Sequence, residues 1–182
     1  MRYNRLYKDN NFLTPTTYTQ TLSEYTETLR YEDIPADVVE RAKMIMLQTV
    51  GAALAAKGTP IAEKACRMSE EANGGEGGAT SVWGTGKKMA AVNAALALGT
   101  MSDALDWEDC SWTGHPAAGV IPCAWLAAEE KHKSGKDLIT AIVAGYEVYQ
   151  RIACAVQPSD ERWKTKGWGL TSWQIFGCII PV

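Results

Sequence analysis

Histidine is scarce in this chain, two among 182 residues, and the five cysteines are an odd number with no CxxC pairing. His115 and His132 alone rule out a multi-histidine metal site built within the chain, although carboxylates remain available as ligands. Cys66, Cys110, Cys123, Cys154 and Cys178 offer neither a disulfide framework nor a zinc knuckle. Most stand among apolar neighbours, where a thiol behaves as a small hydrophobe. A surplus of positive charge is missing too: 18 basic residues against 21 acidic ones give a net charge of −3, so no nucleic acid is expected as partner. No apolar run reaches the ~20 residues of a membrane span. The opening MRYNRLYKDNNFL has neither the apolar core nor the cleavage site of a signal peptide, so the default address is the cytoplasm, with no membrane partner.

What is present is an ordinary globular composition, 46% hydrophobic and 21% charged, enough for a single domain over residues 1–182 with a real core. The pattern predicts helices almost throughout. Tyr18, Leu22, Tyr25 and Leu29 recur at helical spacing over residues 16–30, on an amphipathic helix that needs a partner surface. A second helix starts at Ile34-Pro35 and runs to Lys57-Gly58; its second half is apolar on nearly every face and is expected to be buried. A third spans Pro60 to about Ala72, before the Gly-rich NGGEGG. ATSVWG reads as an extended connector, since one short strand-like run cannot make a sheet alone. The alanine-rich stretch from Lys87 to about Leu105 predicts a closely packed central helix. Further helices are expected from Pro116 to Lys133, with Pro122 inside, and after a Ser134/Asp137 capping box. The last begins near Leu170 and is still apolar at Val182, which predicts that the chain belongs to a longer polypeptide or pairs with another subunit.

Chemistry concentrates in Asp103-Ala-Leu-Asp106-Trp-Glu108-Asp109-Cys110-Ser-Trp-Thr-Gly-His115-Pro116, between two apolar helices. Asp103, Asp106 and Asp109 fall three residues apart, so a continuing helical turn would place them on one face. A histidine, with its ordinary pKa near ~6.5, beside an orienting carboxylate is a general acid or base. A solvated acidic turn with a capping histidine satisfies the same residues.

The string AAVNAALALGTMSDALDWEDCSWTGHPAAGVIPCAWLAAEE resembles the signature region of the MmgE/PrpD family, which contains 2-methylcitrate dehydratase, cis-aconitate decarboxylase and iminodisuccinate epimerase. IPADVVERAKMIMLQTVGAALAA, VWGTGKKMAAVNAALA and SGKDLITAIVAGYEVYQRI are similar to its flanking segments, from about residue 20 onward. Asp106 and Asp109 match the outer aspartates of the family's Asp-aromatic-Asp-Asp element, Glu108 replaces its middle aspartate, and His115 matches the His-Pro histidine implicated in catalysis. Cys110 stands where some members have threonine, Asp103 where many have histidine, and Gly169 where a second catalytic histidine is common. The resemblance implies an all-α domain, the N-terminal part of the family's large helical domain. The later segments that bring a lysine and a tyrosine to the site in some members are absent.

The resemblance further implies a lyase or isomerase acting by proton transfer on a small di- or tricarboxylate, with no metal or organic cofactor. His115 would move the proton and Asp106 would orient or polarise it. Asp109, Cys110, Lys166, Thr171 and Ser172 are the expected substrate contacts, and a homo-oligomer or a second chain is expected to complete the site. The competing expectation is a non-catalytic helical subunit or truncated remnant that binds a partner. His132, in EEKHKSGK, reads as an exposed helix end, and GTGKK lacks the spacing of a phosphate loop and reads as a turn into a helix. The clustered Trp163, Trp168 and Trp173 suit core or interface packing.

Overall fold

A computed structural model describes residues 17–111, 114–156, 169 and 171–181. It is an all-α domain with one small hairpin. Helix α1 (Tyr18–Thr28) is opened by a capping box: Thr17 Oγ1 accepts the Gln20 N–H, and the Gln20 side chain accepts the Thr17 N–H at 2.8 Å. After a 3₁₀ turn (Tyr31–Asp33) come α2 (Ala36–Ala56) and α3 (Pro60–Ala72), the latter with Pro60 in its first turn behind the Thr59 cap.

The segment read as a connector is a strand. β1 (Thr80–Val82) pairs antiparallel with β2 (Lys87–Met89), Thr80 opposite Met89 and Val82 opposite Lys87. Its partner strand lay hidden at the start of the alanine-rich run, where helix propensity masked it. Gly84 and Gly86, with φ of 71° and 72°, turn the chain between them, so GTGKK is a hairpin turn and not the entry to a helix. Glu129 accepts the Ser81 N–H and hydroxyl at 2.8 and 2.5 Å, which fastens the hairpin to a later helix.

Helix α4 (Ala91–Asp103) is the centre of the domain, packed against α2, α3 and the following α5 (Ala117–Glu130). Ala94, Ala97, Leu98 and Met101 are buried in it, and its small side chains allow neighbours to approach closely. The Ser134/Asp137 capping box is formed reciprocally at the start of α6 (Gly135–Val156), Ser134 N–H to Asp137 at 3.0 Å and Asp137 N–H to Ser134 at 3.2 Å. The final helix is shorter than its pattern suggests. Helix α7 covers only Gln174–Cys178 and ends where the Ile179 N–H bonds the Ile175 carbonyl. It packs on α5 and α6, with Trp173 buried against Tyr149 and Ala153.

The second half of α2, expected to be buried on nearly every face, is buried on one: Thr49, Ala52, Ala53 and Ala56 are buried there, whereas Leu47 and Leu54 are 75% and 44% exposed. The small side chains let α4 come close, and the long ones are left on the outer face. No helix among the described residues is long and apolar enough to cross a membrane.

Candidate active site

The segment between α4 and α5 is held in place by contacts made far along the sequence. Helix α4 ends at Asp103, and after a turn in which the Asp106 N–H bonds the Asp103 carbonyl at 3.1 Å, Asp106 itself adopts φ 54°. The left-handed residue takes the chain off the helix axis, so Asp103, Asp106 and Asp109 do not continue along one helical face. The Gln48 side chain on α2 donates to the Trp107 carbonyl at 2.8 Å. Asp109 accepts the Ala117 N–H at 3.0 Å with one oxygen and the Tyr146 hydroxyl at 3.0 Å with the other. A carboxylate at the first turn of α5 satisfies an otherwise unpaired donor and suits the positive end of the helix. Ser111 and Gly114 then bridge, N–H to carbonyl at 2.8 and 3.1 Å, with Gly114 at φ 139°, and the next residue is His115. Gln174 of α7 donates its side-chain N–H to the His115 carbonyl.

This arrangement brings one imidazole and two carboxylates together. His115 Nδ1 lies 3.1 Å from Glu108 Oε1 and 3.8 Å from Asp106 Oδ1. The three surroundings differ sharply: the Asp106 side chain is 82% exposed, that of His115 23% and that of Glu108 not at all. Burial pushes the Glu108 carboxyl above the ordinary range, with the negative Asp103 adding to the rise and His115 opposing it. Burial also raises the Asp109 carboxyl, against the pull of its two hydrogen bonds. Burial and the facing Asp109 carboxylate push the Tyr146 phenol far above its usual value, so Tyr146 stays a donor. Asp106, Glu108 and His115 have ligand-type atoms within 4.8 Å of one another, a spacing that one cation could bridge.

Cys110 is exposed, its thiol 3.5 Å from the Ser111 carbonyl. Ser172 accepts the Gly169 N–H at 2.8 Å with its hydroxyl, in the turn that leads to α7, and Thr171 is exposed beside it. Lys166, with Trp163 and Trp168, lies outside the described residues. His132 is exposed with φ 51° just beyond α5, as its sequence context predicts. A cleft of about 450 Å³ opens next to the histidine turn, lined by Ile61, Gly99, Thr100, Asp103, Ala118 and Gln174. Gln174 thus faces the cleft and holds the His115 backbone. Gln48, Tyr146 and Gln174 each reach the segment across 37 to 59 residues, and no local pattern in the sequence signals such a contact.

The model of the MmgE/PrpD N-terminal domain matches residues 20–172. The chain is 29% identical over 159 residues to the cis-aconitate decarboxylase-like protein oryM of Aspergillus oryzae, covering 82% of this chain and 32% of that protein. It is 32% identical over 151 residues to the cis-aconitate decarboxylase of Aspergillus terreus, covering 78% of this chain and 30% of the relative. The chain therefore spans about a third of the length of these curated relatives.

Proposed function

The chain belongs to the MmgE/PrpD family, and on that premise we propose that it carries the proton-transfer centre of a lyase or isomerase acting on small di- or tricarboxylates, with neither metal nor organic cofactor. The observation that carries this reading is the partly exposed His115 ring, whose Nδ1 faces two carboxylates, on a segment whose neighbours Asp103 and Gln174 line an open cleft. Dehydration, decarboxylation and epimerisation beside a carboxylate share one demand, a group that removes a proton from carbon or delivers one to it. They differ in what leaves: water, carbon dioxide, or nothing but the proton, which returns on the opposite face. His115 is assigned the proton transfer. Asp106, exposed and 3.8 Å from the ring, polarises it from the solvent side.

Substrate contacts are assigned to Cys110, Thr171 and Ser172, with Lys166 balancing substrate charge and Asp109 fixing the loop on which the site is built. The names of the relatives put cis-aconitate first among substrates to test. The direct experiment is deuterium incorporation from D₂O into a panel of di- and tricarboxylates, read by mass spectrometry, with the His115 NMR signals followed during titration. Exchange that disappears in His115→Ala is the expected result. Neither exchange nor a perturbed His115 signal with any member of the panel would favour a non-catalytic helical subunit that binds a partner.

A further inference from the structure

Glu108 has no role in the reading above, yet it is the most unusual side chain of the segment. It is one of five polar or charged residues in the buried set, its carboxylate has no exposed surface, and neither oxygen has an aligned hydrogen-bond partner among the described residues. An ionisable group with no partner costs free energy in a folded protein, so a buried carboxylate is ordinarily satisfied by donors. His115 Nδ1, itself buried and without an aligned partner, faces it at 3.1 Å, and the Asp103 side chain lies against the same carboxyl. The 23% of the histidine side chain that reaches solvent therefore does not include Nδ1.

We propose that Glu108 is the positioning residue of the proton-transfer histidine: it receives the Nδ1–H of His115 and so leaves Nε2 as the atom that exchanges protons with a substrate. The inference rests on the assignment of proton transfer to His115. A neutral imidazole carries one N–H, and an acceptor at one nitrogen leaves the lone pair at the other. When Nε2 takes a proton from substrate, the imidazolium faces a carboxylate and the net charge of the buried pair becomes zero. When it gives the proton up, the pair returns to Glu108 carboxylate and Nδ1–H imidazole. Asp106 cannot hold the ring in this way, being largely exposed and farther from the same nitrogen. The charged and titratable groups around the pair are Asp103 at the end of α4 and Asp106 and Asp109 on the loop. Asp109 is in turn faced by Tyr146 from α6 and Arg41 from α2.

The test is the ring tautomer, read from long-range ¹H–¹⁵N correlation spectra of the intact chain at neutral pH. With two histidines in the sequence, exposed His132 serves as the internal reference. The expected spectrum shows His115 with Nδ1 protonated and Nε2 bare. Glu108→Met should return His115 to the mixed or Nε2–H form usual for a solvated ring, and Glu108→Asp should restore the wild-type pattern in part. A wild-type His115 protonated at Nε2, the form required if Nδ1 served a metal ion, would overturn the proposal without any variant having to fold. So would a tautomer that Glu108→Met leaves unaltered. Absence of turnover would count against the function proposed for His115, whereas the tautomer is measured on the resting chain, and the two failures are distinguishable.

Discussion

His115 and His132 make a built-in comparison, because one chain carries both the buried-edge histidine and the solvated one. Loss of a general acid or base lowers turnover by a factor of about 10² to 10⁴. His115→Ala is expected to fall in that range in the active enzyme, and His132→Ala to leave turnover within about twofold, provided both keep the wild-type circular-dichroism spectrum. Activity that survives the first substitution and falls with the second would reverse the assignment. Tyr146→Phe removes the hydroxyl that bonds Asp109 and leaves one oxygen of a half-buried carboxylate unsatisfied. That loss is expected to cost about 1–3 kcal/mol in urea unfolding.

The same carboxylates set a pH dependence whose sign follows from their burial. Glu108 has a folded-state pKa raised above its ordinary 4.5, chiefly by desolvation, so the folded state holds the proton more tightly than the unfolded one. The stabilisation from that proton is present in full below the unfolded value and is lost as pH rises through the raised one. Glu108→Gln removes the titration. Its melting temperature minus that of wild type should be smallest near pH 4 and grow towards pH 8; a difference independent of pH would contradict the burial argument. A residue that makes the native state less stable at neutral pH while holding a reactive ring is the pattern expected of a functional carboxylate.

At the scale of elements, the helical periods were legible and the boundaries were less so. The Ser134/Asp137 box, the Thr59-Pro60 start and the alanine-rich centre could all be read, because each depends on residues within a turn or two of one another. The β hairpin could not, since one of its strands lies in KKM, where neighbouring alanines favour helix and only pairing with TSV decides otherwise. The site was legible in the same uneven way. His115 and the acidic run stand out as residue types, but which carboxylate is buried depends on the left-handed turn at Asp106 and on anchors from α2, α6 and α7. The attachment of α7 is itself open to test. A Cβ at Gly177 would lie 2.9 Å from Tyr149 Cβ and 3.0 Å from the Gly145 carbonyl, and one at Gly145 2.8 Å from the Gly177 carbonyl. Helices α6 and α7 therefore touch through two facing glycines. Gly177→Ala should cost about 1–3 kcal/mol as an overpacked contact. It should also loosen Gln174 from the His115 carbonyl, visible as faster amide exchange around His115.

At the scale of the whole molecule, the distribution of large apolar side chains is the feature that the internal core does not explain. On α2, Met44, Leu47 and Leu54 are 62%, 75% and 44% exposed; on α3, Ile61 and Met68 are 53% and 58%; on α4, Val92 and Leu96 are 76% and 48%. Within each helix these residues recur at intervals of three, four or seven, which puts them on one side of that helix. An outward stripe of this kind, repeated on α4 and on α2 and α3, which each pack against it, is a surface that water covers at a cost, and exposed apolar patches mark association sites. The expected outcome is a dimer or larger species in multi-angle light scattering at micromolar concentration. Leu47→Lys combined with Met68→Lys, both on the outer faces of their helices, should shift the population towards monomer without reducing the helical circular-dichroism signal. If the wild-type chain remains a stable monomer up to millimolar concentration, these stripes are not a self-association surface. If the double variant associates as strongly as wild type, the contact lies elsewhere, and exposed Ile175, Phe176 and Ile179 around α7 become the next residues to charge.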